Sequence, residues 1–106
     1  MTVHQTQAAG GWYQRSLVDQ LANVGSEVGR IIKWRDRNPA LSEKAFIRAL
    51  ELLDLTIGDP RWQGRRKELT RARTLLCDAM FGGSEHGSTL QDLDRYFLAY
   101  AVAARR

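Results

Sequence analysis

Apolar side chains recur every three or four residues in four separate segments of this chain, and nowhere do they alternate with period two for long enough to make a strand. A 3.6-residue period puts such side chains on one face of a helix, so each segment reads as an amphipathic helix that must bury that face against another. Turn formers separate them: Gly10-Gly11, Asn38-Pro39, Gly58-Asp59-Pro60, and Gly82-Gly83-Ser84 through Gly87-Ser88. Helices joined by short loops become antiparallel neighbours. The expectation is an all-α fold, an antiparallel up-down-up-down four-helix bundle. It forms one domain over residues 12–106, after a flexible, disordered N-terminal tail over residues 1–11.

The first segment runs from Trp12 or Ser16 to Arg37. Ser16 and Asp19 form a capping-box pair, which favours the later start. Leu17, Leu21, Val24, Val28, Ile31 and Ile32 make its apolar stripe, with Ala22, Gly25, Ser26 and Gly29 beside it. Glycine inside a helix costs roughly 1 kcal/mol against alanine, so Gly25 and Gly29 imply close approach of another helix or a kink. The second segment spans Ser42 to Ile57 with Ser42 as its cap, and Phe46, Ala49, Leu50, Leu53 and Ile57 as its main face. Ile47, Leu52 and Leu55 lie elsewhere around it, so it is either central or covered by a second chain. The third runs from Pro60 to Phe81, capped by Asp59, with Gly64 placed to interrupt its first turns. Its stripe is Leu69, Ala72, Leu76, Ala79 and Met80. The fourth runs from Thr89 to Ala104 behind the capping box Thr89/Asp92, with Leu90, Leu93, Phe97, Tyr100, Ala101 and Ala104 inward. Starting at Trp12, the first helix would be about 38 Å long against about 24 Å for the second, and its Ile31–Arg37 end would overhang the bundle.

Composition narrows the function classes. With 106 residues, 43% hydrophobic and 26% charged, the chain has the balance of a globular domain. No apolar run reaches the roughly 18 residues of a membrane span, and the N-terminus lacks the basic start and apolar stretch of a signal peptide. A single cysteine, Cys77, rules out an internal disulfide, and these features together fit a cytoplasmic protein. No phosphate loop, dinucleotide fingerprint, paired-histidine zinc helix or Glu-x-x-His pair is present, so no metal and no cofactor is expected. No catalytic residue is assigned. His4 and His86 read as solvated, and Cys77 as a small residue at the edge of the core.

Charge is the more informative quantity. The net charge is +4, and thirteen of the sixteen cations are arginine, whose planar guanidinium suits phosphate contacts or ion pairs with carboxylates. Residues 1–60 carry seven basic and seven acidic side chains, whereas residues 61–106 carry nine basic and five acidic. Within Arg61–Arg73, six cations with only Glu68 between them give +5 over thirteen residues. Arg65, Arg66, Lys67 and Arg71 there are the candidate phosphate contacts, and a solvated helix beside an acidic neighbour would look the same. Arg30, Lys33 and Trp34 are a secondary candidate, a cationic flank with a stacking aromatic, in which Glu27–Arg30 can equally be a surface pair. Ala22, Gly25, Gly29, Ile47 and Leu55 are the candidate contacts with a second copy or a partner.

The runs Leu21–Arg30 (LANVGSEVGR), Trp34, Ala45-Phe46 and Arg48–Thr56 (RALELLDLT) resemble those of a family of small uncharacterised prokaryotic proteins. The similarity continues through Tyr96-Phe97 to Ala103-Ala104-Arg105 and implies fold and a prokaryotic origin. The architecture is loosely similar to four-helix proteins of the HEPN type and of the rRNA intervening-sequence type. Active HEPN ribonucleases carry an arginine and, after four to six intervening residues, a histidine. Here the positions five to seven before His86 are Phe81, Met80 and Ala79, so the resemblance implies the non-catalytic branch.

The leading expectation is therefore a non-enzymatic accessory module that self-associates, as a homo-oligomer, and binds RNA or a nucleic-acid-handling protein through its basic helix. Two alternatives stand beside it. One is a protein-only partner subunit, antitoxin-like or accessory, contacting through Ile47 and Leu55. The other is an unusual ribonuclease using Arg73, Asp78 or His86.

Overall fold

The computed structural model describes residues 10–104, and all regular structure among them is helical. Residues 1–9 of the expected tail and Arg105-Arg106 lie outside the described residues; residues 10–12 are helical. Four α-helices follow: α1 (Leu17–Trp34), α2 (Pro39–Ile57), α3 (Arg66–Met80) and α4 (Leu90–Ala104), with a 3-10 segment, η1 (Pro60–Arg65), between α2 and α3.

Local chemistry sets the helix starts. The Ser16 hydroxyl accepts from the Asp19 N–H at 3.1 Å, leaving α1 to begin at Leu17. At α4 the box is reciprocal: the Asp92 N–H donates to Thr89 Oγ1, and the Thr89 N–H donates to Asp92 Oδ2. The start of α2 differs from expectation. Asn38 caps it, accepting from the Leu41 N–H, and Pro39 occupies the first turn. Ser42 is buried inside the helix instead, where its hydroxyl donates to the Ile31 carbonyl of α1 at 2.9 Å. Earlier entry lengthens α2 to 19 residues, α1 ends at 18, and both are about 27–28 Å long. The expected overhang disappears, and Ile31 is fully buried. The third segment breaks in two. Trp62 leaves helical geometry (φ −108°, ψ 22°), so that six residues of 3-10 turn precede α3.

α1 packs most extensively, against α2 on one side and α4 on the other, while α3 packs less extensively against α2 and α4. Leu21, Leu53, Leu76 and Phe97, one from each helix, are fully buried in a single cluster, each contributing about 2 kcal/mol by leaving water. On α2 the inward face is Ala45, Phe46, Ala49, Leu52, Leu53 and Thr56, so that Leu52 replaces Leu50 in the core, where Leu50 is only half-buried. Gly25 marks a close approach of α1 and α4. A Cβ there would lie 2.7 Å from Phe97 Cβ, so this glycine serves a contact within the chain.

A buried polar knot ties the start of the domain to the α2–η1 corner. The Gln20 amide nitrogen donates to the Trp12 carbonyl (2.9 Å) and to Asp59 Oδ2 (3.2 Å), and its oxygen accepts from Trp62 Nε1 (2.9 Å). Trp12 Nε1 donates to the buried Thr56 hydroxyl at 3.0 Å. Among the described residues, no buried side-chain nitrogen or oxygen is left without a partner.

Candidate nucleic-acid interface

The six cations of Arg61–Arg73 do not form one surface; the fold sorts them by whether an acid reaches them. Arg61 forks onto Asp59, with Nη2 at 2.7 Å from Oδ2, donates to the Arg15 carbonyl and lies over the Trp62 ring at 4.4 Å. Arg65 donates to Glu68 at 2.9 Å and to the Tyr100 hydroxyl. Arg73 reaches across to Asp54 on α2 at 2.7 Å. Arg66 Nε donates to the Ile57 carbonyl at the end of α2, a neutral acceptor that leaves its charge unmatched. Among the described residues, Arg66, Lys67 and Arg71 are in no ion pair, and all three are exposed.

These three share one strip of α3. Arg66, Thr70 and Thr74 stand four residues apart, with Lys67 and Arg71 alongside, and together they border an open, shallow groove. Of the four candidate phosphate contacts of this segment, Arg65, at the end of η1, is thus diverted to Glu68. Glu68 is the hub of that diversion. Oε2 accepts from Arg65, while Oε1 accepts from the Tyr96 hydroxyl at 2.6 Å and the Tyr100 hydroxyl at 3.2 Å. Arg65, then Tyr96 and Tyr100, outweigh burial and hold the Glu68 carboxyl down to about 2. Burial and the hydrogen bond to Glu68 push the Tyr96 phenol up, so it stays protonated and donating.

The second candidate cluster lies between α1 and α2. Arg30 and Trp34 border a hollow of about 300 Å³ with Leu41, Lys44 and Arg48 from α2. Lys33 stands 5.0 Å from the Trp34 ring centre, and Arg30 pairs with Glu27. Lys44 and Arg48 enter this cluster through the α1–α2 pairing, which spacing along either helix alone does not reveal. One cationic feature therefore belongs to α3 and the other to the α1–α2 seam.

Asp78 is fully used. Its Oδ1 accepts from the Glu85 N–H, and its Oδ2 accepts from the His86 and Ser88 N–H groups and from the Ser88 hydroxyl at 2.7 Å. Burial raises its pKa, but the Ser88 hydroxyl and these N–H donors outweigh it and leave the group below the ordinary carboxylate value. The loop can fold back on Asp78 because Gly83 (φ +74°) allows it, and a Cβ there would meet the Ser88 carbonyl oxygen at 2.5 Å. Asp78 is thus bound by its loop and Arg73 by Asp54, while His86 is exposed.

No family model, curated protein or solved structure matches this chain. Among the described residues, no helix is long and apolar enough to cross a membrane. No group of three or more His, Cys, Asp or Glu side chains there is placed to hold a metal ion. Of the candidate partner contacts, Gly25 faces Phe97, Gly29 has Asp94 Oδ1 as its nearest neighbour at 3.9 Å, Ala22 and Leu55 are half-buried, and Ile47 is 48% exposed.

Proposed function

We propose that this chain is a non-enzymatic cytoplasmic helical module that binds RNA through α3 and self-associates. Its helices run up-down-up-down. Short connections and the packing of each helix on its chain neighbours, with α4 returning to α1, support that arrangement. The observation that carries the function is the sorting of the arginines. Arg61, Arg65 and Arg73 are neutralised by acids, whereas Arg66, Lys67 and Arg71 remain unpaired along one exposed strip with two threonine hydroxyls between them. A helix face of this kind meets phosphates without reading bases. Arg30, Lys33 and Trp34 add a separate contact on the α1–α2 side.

Titration of labelled RNA at about 50 and 200 mM salt tests this. Three phosphate contacts give a slope of about −2 to −3 in log affinity against log salt. No binding at low salt, or binding indifferent to salt, removes the proposal.

A protein partner, whether a second copy or a nucleic-acid-handling protein, is the second reading, favoured by exposed Ile47, Leu98, Val102 and Phe81, the last 78% exposed. Solution mass together with the 260/280 nm absorbance ratio separates the two: a nucleic-acid-free assembly of raised mass supports the second reading.

A further inference from the structure

We infer that the seam between α3 and α4 takes one unpaired nucleotide of single-stranded RNA, its base in the groove and its phosphate on Arg71. This rests on α3 being the RNA-binding face and specifies the form of RNA it takes. α3 and α4 pack together less extensively than α1 packs on either of its neighbours, and the seam leaves a groove of about 440 Å³. Arg71 borders both this groove and the cationic strip. A strand whose phosphates follow Arg66, Lys67 and Arg71 therefore passes the mouth of the groove.

The lining suits a base. Ala72, Leu75 and Leu93 supply apolar wall, and Tyr96 supplies an aromatic one. Bases of a duplex stay stacked within it, whereas a single strand can turn a base out onto apolar and aromatic side chains. The acids of the groove set the orientation. Glu68 and Asp92 line it, and carboxylates repel phosphate while accepting from amino groups on base edges. Glu68 is occupied by Arg65, Tyr96 and Tyr100. Asp92 accepts from the Thr89 N–H on one oxygen and pairs with Arg95 on the other, but half its side chain is exposed and it has fewer donors than Glu68, which makes it the more open acceptor. Cytosine, adenine and guanine carry the amino group this needs, and uracil does not.

The test compares a labelled cytidine-only RNA strand with an RNA duplex of equal length by fluorescence anisotropy at low salt. The strand is expected to bind about tenfold more tightly. Leu75→Trp, which fills the groove, is expected to bring the strand down to the duplex level and leave duplex binding unchanged, with folding checked by circular dichroism. Lys67→Ala, outside the groove, lowers both forms by a similar factor. Equal binding of strand and duplex by the unaltered protein overturns the groove assignment alone and needs no variant. So does an undiminished strand preference in folded Leu75→Trp. If neither form binds, the reading of α3 falls and this inference falls with it. A DNA strand of the same sequence binding more tightly than the RNA strand overturns the choice of polymer.

Discussion

Around Gln20 every buried polar atom has a partner, whereas the outer strip of α3 holds three cations that no acid pairs. Both regions are rich in arginine and they are joined by η1, yet they do opposite things. In the knot, Asp59 is 1% exposed, and Gln20 of α1 shares its hydrogen bonds with Asp59 and Trp62 of the α2–η1 corner while Arg61 donates to Asp59. On the strip, the nearest acid on the same helix, Glu68, is turned toward Arg65, Tyr96 and Tyr100. The availability of an arginine is thus decided less by its own helix than by which acids its neighbours have already claimed.

The sharpest way to break this contrast is to remove an acid from the knot. Asp59→Ala strips partners from buried Gln20 and from Arg61 and deletes the cap of η1, and should cost about 2–3 kcal/mol in urea unfolding. A loss below about 0.5 kcal/mol would mean that the knot holds nothing together. The same group predicts a pH limb. The hydrogen bond from Arg61, against opposing burial and with help from Gln20, lowers Asp59 from 3.8 to about 2. Its folded pKa lies below the unfolded one, so its stabilisation is complete above about pH 5 and is lost as pH falls toward about 2. The urea midpoint of the unaltered protein should fall over that range, and Asp59→Asn should flatten the fall.

The two glycines of α1 sharpen the contrast with opposite signs. Gly25→Ala places a Cβ 2.7 Å from Phe97 Cβ, and overpacking against that rigid position should exceed the gain in helix propensity, for a net loss of about 1 kcal/mol. Gly29→Ala meets only Asp94 Oδ1 at 3.9 Å and should gain about 0.5–1 kcal/mol. Thermal melts of the pair read both; equal shifts would deny the close α1–α4 approach.

The smallest effect on stability is expected on the strip. Lys67→Ala with Arg71→Ala should change unfolding free energy by less than about 0.5 kcal/mol, while making the salt dependence of RNA binding shallower by about 1–2 units of slope. Marked destabilisation by this pair would show that these cations serve the fold.

Where the sequence could be read correctly, the interactions lie within three or four residues. The Ser16–Asp19 and Thr89–Asp92 caps, the Glu27–Arg30 pair, the apolar stripe of α1 and, on α4, Leu90, Leu93 and Phe97 are of that kind, whereas Ala104, expected inward, is exposed. Ser42 was misleading because a serine ahead of a helical stripe looks the same as a cap or as a buried donor. Only the neighbouring α1 carbonyl distinguishes them. The break after Pro60 was half visible, through Gly64, but the kink falls at Trp62, whose indole is drawn to Gln20.

Composition and periodicity by themselves determined that this chain forms helices, that they break near Asn38, Gly58 and Gly82–Ser88, and that its cationic excess sits in the second half, because these follow from residue order over a turn or two of helix. Only tertiary structure decided which arginines are spent and that a groove opens beside Arg71, since Asp54, Tyr96 and Tyr100 come to α3 from 19 to 32 positions away. Coulomb attraction and hydrogen bonding act across space, and their partners are chosen when the helices pack.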